Sequence, residues 1–386
     1  MKQAAIGSTR TSPGVFTIVC LAQMLVVHPA GADDQQRMFV SNEYFTFGSP
    51  DYFSVAAKLA DFDDDGDLDV VLVNGRHWAR QDYVYFNNGD GRLLEAMPLG
   101  GMATGYEPAI ADLDGNGSPD VVVARDRISS QVFVGLGDGD FGRSRPVGVA
   151  GPTRSVAAAD LDADGHVDLV FSQRSARNYV AYGPAYERIE YFGPEEQSVR
   201  VAVADLNADG DLDAVFANLG PQGNLVHFGD GGGAFAAELR LDPRHDRAVD
   251  AGVGDLNGDG WPDIAFAMLG ANAIFLNDAQ HGFTEVVVFG PANERSYGID
   301  IADLDGDGDL DLAVANDGAP NALYFNAGGS FERSVLPEDP AARSYGVSAG
   351  DLNGDGFADL IFANSGAMSR IYLNATADTA AAMLSR

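Results

Sequence analysis

Ala302-Asp303-Leu304-Asp305-Gly306-Asp307-Gly308-Asp309-Leu310-Asp311 sets aspartates at alternate positions of a tight loop and runs straight into Leu312-Ala313-Val314. Reduced to its pattern, Asp-x-[Asp/Asn]-x-[Asp/Asn]-Gly-x-x-Asp, this loop occurs seven times. The copies begin at Asp61, Asp112, Asp160, Asp205, Asp255, Asp303 and Asp351, at intervals of 51, 48, 45, 50, 48 and 48 residues. A fixed period of that size marks an array of supersecondary units. An apolar stretch leads into each loop, as in Val201-Ala202-Val203-Ala204. A β-rich run follows it, then a Gly/Asn turn and an aromatic strand such as Ala322-Leu323-Tyr324-Phe325-Asn326. A glycine-rich turn and a strand opening on phenylalanine end the unit, as at Gly328-Gly329-Ser330-Phe331. Four short strands per unit, separated by turn residues, describe the blade of a β-propeller.

The pattern therefore predicts an all-β chain, a seven-bladed β-propeller of four-stranded antiparallel blades. The seventh repeat stops after Ile371-Tyr372-Leu373-Asn374, while a spare strand, Glu43 to Phe47, precedes the first loop. That strand is expected to close the ring, which removes the exposed edges an open array would carry. The expected domains are a secretory signal peptide over 1–32, the propeller over 33–376 and a loose tail over 377–386. The leader follows from Lys2 and Arg10, an apolar core Val15 to Val27 and Ala30-Gly31-Ala32 before Asp33-Asp34. This predicts a secreted, periplasmic or cell-surface protein, cleaved near Ala32. Cys20, the only cysteine, lies in the leader, so the mature chain must be stabilised without disulfides.

The spacing suits calcium, which takes six to eight hard oxygen ligands, because alternate side chains of one loop converge on one point. In the first loop Asp61, Asp63, Asp65 and Asp69 supply side chains, Gly66 makes the turn and Asp67 offers its carbonyl. The corresponding sets are Asp112, Asp114, Asn116, Ser118 and Asp120, then Asp160, Asp162, Asp164, His166 and Asp168. The fourth and fifth are Asp205, Asn207, Asp209, Asp211 and Asp213, and Asp255, Asn257, Asp259, Trp261 and Asp263. The last two are Asp303, Asp305, Asp307, Asp309 and Asp311, and Asp351, Asn353, Asp355, Phe357 and Asp359. Up to seven calcium ions are expected. Magnesium, or an acidic turn closed by Asx hydrogen bonds, is the alternative. The formal charge is -33, and side chains at positions one, three, five and nine supply 24 of the 57 acidic residues. Seven divalent ions would offset much of this. The remaining negative charge argues against nucleic acid as a partner, and no segment after the leader is long and apolar enough to insert in a membrane.

These loops, with Ala315-Asn316-Asp317-Gly318 and Phe331 after Gly328-Gly329, resemble the FG-GAP and VCBS repeats, whose relatives include the seven-bladed propellers of integrin α-chains. The likeness covers roughly residues 38 to 375. It implies calcium in the loops between first and second strands, on one face of the disc, and ligands on the opposite face.

On that opposite face the turns between second and third strands differ. The first three repeats bring Arg76, His77, Trp78 and Arg80, then Arg125 and Arg127, then Arg174 and Arg177, while the other four are bland. Arginine forks suit carboxylate or sulfate, and tryptophan suits a sugar face. Local pairing with Asp82 and Asp126 is the competing reading. Arg247, Arg295 and Arg343 each stand eight residues before a loop, with Tyr297 and Tyr345 two residues further on. They could line the mouth of the central channel or serve repeated packing. The function expected is a calcium-binding propeller that binds or adheres to a glycan or protein ligand. A carbohydrate-active enzyme cleaving acidic polysaccharide, with His77 as the ready proton-transfer group, and a structural surface scaffold are the alternatives.

Overall fold

The computed structural model describes residues 24–26, 37–242, 244, 247–278, 282–336 and 343–384. Every repeat is built round its second strand, which opens on the ninth loop residue: Asp69–Asn74, Asp120–Val123, Asp213–Asn218 and their equivalents. These three strands are buried along their whole length, so both faces must be apolar, and the runs Val70 to Val73 and Val121 to Val123 meet that demand. Fully burying each such side chain contributes ~1.5–3 kcal/mol. The outermost strands, such as Phe331–Val335, are half-exposed and carry charges.

The described strands assort into six hydrogen-bonded sheets. Four of them have four antiparallel strands in sequence order, for example Ser54–Ala60, Asp69–Asn74, Arg80–Asn87 and Leu93–Ala103. The third and fourth repeats share one six-stranded sheet, through the long strand Ile189–Ala204. Its first part pairs with Asp168–Ala181 and its second part with Asp213–Asn218. The propeller is thus six-bladed, which corrects the expected seven: all seven repeats are present, but two lie on one sheet. The cause is local. Gln173-Arg174-Ser175-Ala176-Arg177-Asn178 turns the chain, with Ser175 at φ 64° and Gln173 N–H on Asn178 Oδ1, and within that turn Arg174 and Ala176 pair with Gln197 and Glu196, which lead into the fourth loop.

The sixth sheet is completed by the N-terminal segment, though by other residues than expected. Glu43–Phe45 is a single 3-10 turn, not strand. Arg37–Val40 pairs along Leu373 to Thr376, and only Thr46–Phe47 of the expected strand joins, at Ser369 and Arg370. Met24–Val26 pairs outside Arg37–Val40. The rest of the expected leader and its cleavage site lie outside the described residues. The tail expected to be loose carries a helix, Ala377–Leu384, with Ala380 buried against the core beside Met38. Its run of alanines has the highest intrinsic helix propensity. No helix among the described residues is long and apolar enough to cross a membrane.

Candidate metal loops and an axial arginine cavity

The seven loops share one set of hydrogen bonds. The glycine at position six holds φ between 87° and 94° in all of them, a region open to glycine and costly for other residues. Its N–H donates to the first aspartate: Gly66 to Asp61 at 2.9 Å, Gly260 to Asp255 at 2.8 Å, Gly356 to Asp351 at 2.7 Å. The residue at seven donates its N–H to the side chain at five, as Asp67 to Asp65 and Trp261 to Asp259, both at 2.9 Å. Asx bonds therefore shape the loop, and the same turn gathers carboxylates. Asp61, Asp63 and Asp69 bring ligand oxygens within 4.8 Å of one another, as do Asp112, Asp114 and Asp120, Asp160, Asp162 and Asp168, and Asp303, Asp305 and Asp311. Loops four, five and seven have asparagine at position three.

Three observations fit a hard cation. The donor sets are all oxygen. Asp63 Oδ1, Asp162 Oδ1 and Asp205 Oδ1 are buried without a hydrogen-bond partner. Burial, then neighbouring carboxylates, push Asp305 up to about 6, so the gathered charges disfavour one another unless a cation offsets them. Positions one, three, five and nine would hold the ion. In the seventh loop the chain supplies its own cation: Arg37 Nη2 lies 2.8 Å from Asp355 Oδ2, its guanidinium 3.3 Å from the centre of the Phe357 ring.

Position nine has a second task that the pattern did not reveal. Asp69 accepts from Phe62 N–H at 2.9 Å and from Asn87 N–H at 2.8 Å. Asp120, Asp168, Asp213, Asp263, Asp311 and Asp359 repeat this arrangement, one oxygen on the loop and one on the end of the third strand. Even so, burial pushes Asp311 up to about 7 and Asp359 up to about 8.

About six residues separate each first aspartate from the far end of the first strand, or ~20 Å at 3.3 Å per residue. At that far end, on the axis, lies a cavity of about 380 Å³. Its wall is built by one recurring position, six residues before each loop. Val55, Val199 and Val249 occupy it in the first, fourth and fifth repeats, Tyr106, Tyr297 and Tyr345 in the second, sixth and seventh, and Arg154 in the third. In six repeats the strand register shifts there, between Ser54 and Ala56 for Val55 and between Ser296 and Gly298 for Tyr297. Such a bulge re-aims a side chain, here toward the axis.

The cavity is cationic in a very acidic protein. Arg200 crosses the axis to Glu107 and also meets Asp250 at 3.0 Å. Burial alone would lower its pKa, but those two carboxylates outweigh burial and raise it. Arg154 pairs with Asp126 at 3.0 Å and lies 4.3 Å from the Tyr106 ring centre. Arg76 reaches over Tyr345 and Tyr297, 4.4 and 5.4 Å from the ring centres. Arg174 and Arg247 are exposed at the rim. Among the described residues, no carboxylate is in ion-pair contact with Arg76, Arg174 or Arg247. His77 Nδ1 and Tyr106 Oη are 2.9 Å apart. Burial, then Arg76 and Arg154, lower the His77 pKa, so its imidazole is neutral at pH 7.

Of the residues singled out on this face, the structure brings Arg76, His77 and Arg174 together in the cavity, with Arg247, Tyr297 and Tyr345 from the second set. Trp78 is 66% exposed outside it. Arg80 bonds to the carbonyls of Asp51 and Ala79. Arg125 is fully buried on Asp82, at 2.6 Å. Arg127 lies exposed, 3.8 Å from Asp126, and Arg177 bonds to the carbonyls of Gly193 and Tyr191. Arg295 and Arg343 both turn to Asp317, at 3.3 and 3.5 Å. Arg154, Arg200, Glu107 and Tyr106 were not singled out from sequence. The offset of six residues from each loop would have found Arg154 and Tyr106.

The FG-GAP-like repeat pattern matches residues 61–123, 112–171, 205–266, 255–314 and 303–362, and the FG-GAP repeat pattern matches 344–381. No curated protein matches the chain. Among solved structures, BBS1N in complex with ARL6DN, soaked with mercury, is similar with a TM-score of 0.60 at 12% identity, over 87% of this chain and 97% of that one. The same complex soaked with lead gives 0.59 at 11% identity, over 87% and 96%. The V. cholerae biofilm matrix protein Bap1 gives 0.49 at 11% identity, over 87% and 90%. At these identities the likeness to the two BBS1N structures shows the fold alone.

Proposed function

Because the chain belongs to the FG-GAP repeat family, we propose that it is a secreted, calcium-loaded propeller that works as a binding or adhesion module. Its ligand, a glycan or a protein, is received on the face opposite the aspartate loops. One observation carries this reading: the axial cavity gathers Arg76, Arg174 and Arg247, which lack carboxylate partners among the described residues, ~20 Å from the loops along the same strands. Calcium holds the loops and so the strand ends that shape the cavity. Cleavage near Ala32 would remove Met24–Val26 and leave Arg37–Val40 as the outer strand of its sheet.

The test is a screen of calcium-saturated mature chain against arrayed glycans and purified extracellular proteins. The expected result is a ligand whose binding is lost when Arg174 and Arg247 are replaced together. A screen that yields no ligand, or one that binds the loop face, overturns the reading. The contact between His77 and Tyr106 inside an arginine-lined cavity favours a second reading, cleavage of an acidic polysaccharide. It requires new reducing ends on incubation with such a polymer, abolished by His77→Ala.

A further inference from the structure

We propose that the axial cavity is the binding site for an acidic sugar, one residue of a glycan bearing carboxylate or sulfate. This rests on the reading of the chain as a binding module and names the ligand class. The cavity volume, about 380 Å³, falls in the range of small-ligand pockets. Its walls are two-sided. Val199 and Val249, with Leu219 and Leu269, make an apolar quarter. Tyr297 and Tyr345 face it, in an edge-to-face pair with ring centres 4.7 Å apart. A pyranose has this character, with apolar C–H faces and a polar rim, and tyrosine offers both a ring face and a hydroxyl.

The charges narrow the class further. The acids nearest the cavity are already engaged: Glu107 and Asp250 by Arg200, Asp126 by Arg154. Arg76, Arg174 and Arg247 come from three different repeats and converge on the rim without a carboxylate of their own among the described residues. Forked guanidiniums are suited to planar or tetrahedral oxyanions. A neutral sugar would leave them unused, and a polyanion held by charge alone would leave the tyrosine and valine walls unused. The recurring bulge that turns one side chain per repeat inward makes the cavity a feature of the ring itself.

The experiment is calorimetric titration of the calcium-saturated mature chain with trigalacturonate, a sulfated trisaccharide, the methyl ester of trigalacturonate and hexaglutamate. Trigalacturonate or the sulfated sugar should bind, and the ester and the peptide should bind at least tenfold more weakly. Arg174→Ala and Arg247→Ala should each weaken binding about threefold or more and reduce its salt dependence, as expected for charges exposed at the rim. Tyr345→Ala should weaken it with the melting temperature unchanged. Arg143→Ala, which removes the same charge outside the cavity, should not weaken it. Equal binding of the ester or of hexaglutamate overturns the proposal. So does wild-type affinity in both arginine variants, although the chain would then remain a binding module with its site elsewhere. A chain that binds none of these probes but retains a protein from the screen also loses the acidic-sugar site and keeps the broader reading.

Discussion

At position nine one side chain serves the fold and is placed to serve a metal, and the two roles separate experimentally. Asp263 is fully buried, and its oxygens accept N–H groups from Leu256 and Asn277. Asp263→Ala leaves two buried donors unpaired, at about 1–3 kcal/mol each. The loss should therefore appear even in excess chelator. Asp259→Ala, at an exposed position whose bonds are to loop N–H groups, should lower stability mainly when calcium is present. Urea unfolding of both variants, with calcium and with EGTA, decides; equal losses in EGTA would show that position nine is only a ligand. A second residue predicts a pH effect away from the loops. His227 is buried among Phe192, Phe216 and Phe235, and burial lowers its pKa to about 4. Its unfolded value is about 6.5, so the neutral form is favoured by folding. That stability is present above pH ~6.5 and is lost as pH falls toward 4, at most about 2–3 kcal/mol. His227→Leu should flatten the acid limb relative to wild type between those values. Parallel limbs would mean the histidine charges without cost.

The repeats are joined by an element-end device that the loop pattern did not announce. Asn326 Nδ2 donates to Leu310 O at 3.0 Å in its own repeat and to Leu256 O at 2.8 Å in the repeat before. Asn277, Asn374 and Asn87 do the same, and Asn87 reaches Leu352, tying the first repeat to the last. Asn326→Ala should cost roughly 2–3 kcal/mol, since it leaves buried carbonyls without donors. Repeats two to four have Gly135, Gly183 and Gly229 at this place. A Cβ on Gly135 would lie 2.3 Å from Pro119 O, so Gly135→Ala should destabilise by about 1–3 kcal/mol through forced backbone movement. Thermal melts of both variants check this; an unchanged Gly135→Ala would show that the strand end can shift freely. The contrast also explains what the sequence made legible. Loops, glycines and second strands announce themselves by local chemistry, because each demands particular residues at a fixed spacing. The shared sheet of repeats three and four depends on the pairing of Arg174 and Ala176 with Gln197 and Glu196. The cavity depends on bulges and on contacts across the axis, such as Arg200 to Glu107. The lining position recurs six residues before each loop, but its residue type varies and nothing in the repeat says that these side chains meet on the axis; Arg125 shows the converse, a residue that reads as surface and is buried on Asp82.

The ring as a whole is held at its seam and by its charge. At the seam, Arg37 joins sheet pairing, a contact with Asp355 and stacking on Phe357. Removing residues 37–47 should bare the edge of Ser369–Thr376 and promote association, seen by light scattering; a truncated chain that stays monomeric at native stability would show that the edge is covered otherwise. The charge argument reaches every loop. The formal charge is -33, and much of it is packed into seven loops whose carboxylates converge. Without cations this repulsion opposes the folded state, and burial cannot be avoided because position nine is fixed in the core. A cation that binds the folded loops better than an extended chain stabilises the fold by mass action, so added calcium should raise the melting temperature. Chelation should lower it substantially. Simple salt then separates repulsion from coordination. If repulsion dominates, raising sodium chloride from about 0.05 to 0.5 M shortens the Debye length several-fold and should restore part of the loss in EGTA. It should change the calcium-loaded protein little. Magnesium, which demands octahedral geometry and gives up its waters reluctantly, should restore less than calcium at equal concentration. A melting curve unmoved by EGTA, with metal loss confirmed by elemental analysis, would falsify the structural role of the ions and leave Asx bonding as the reason for the loops.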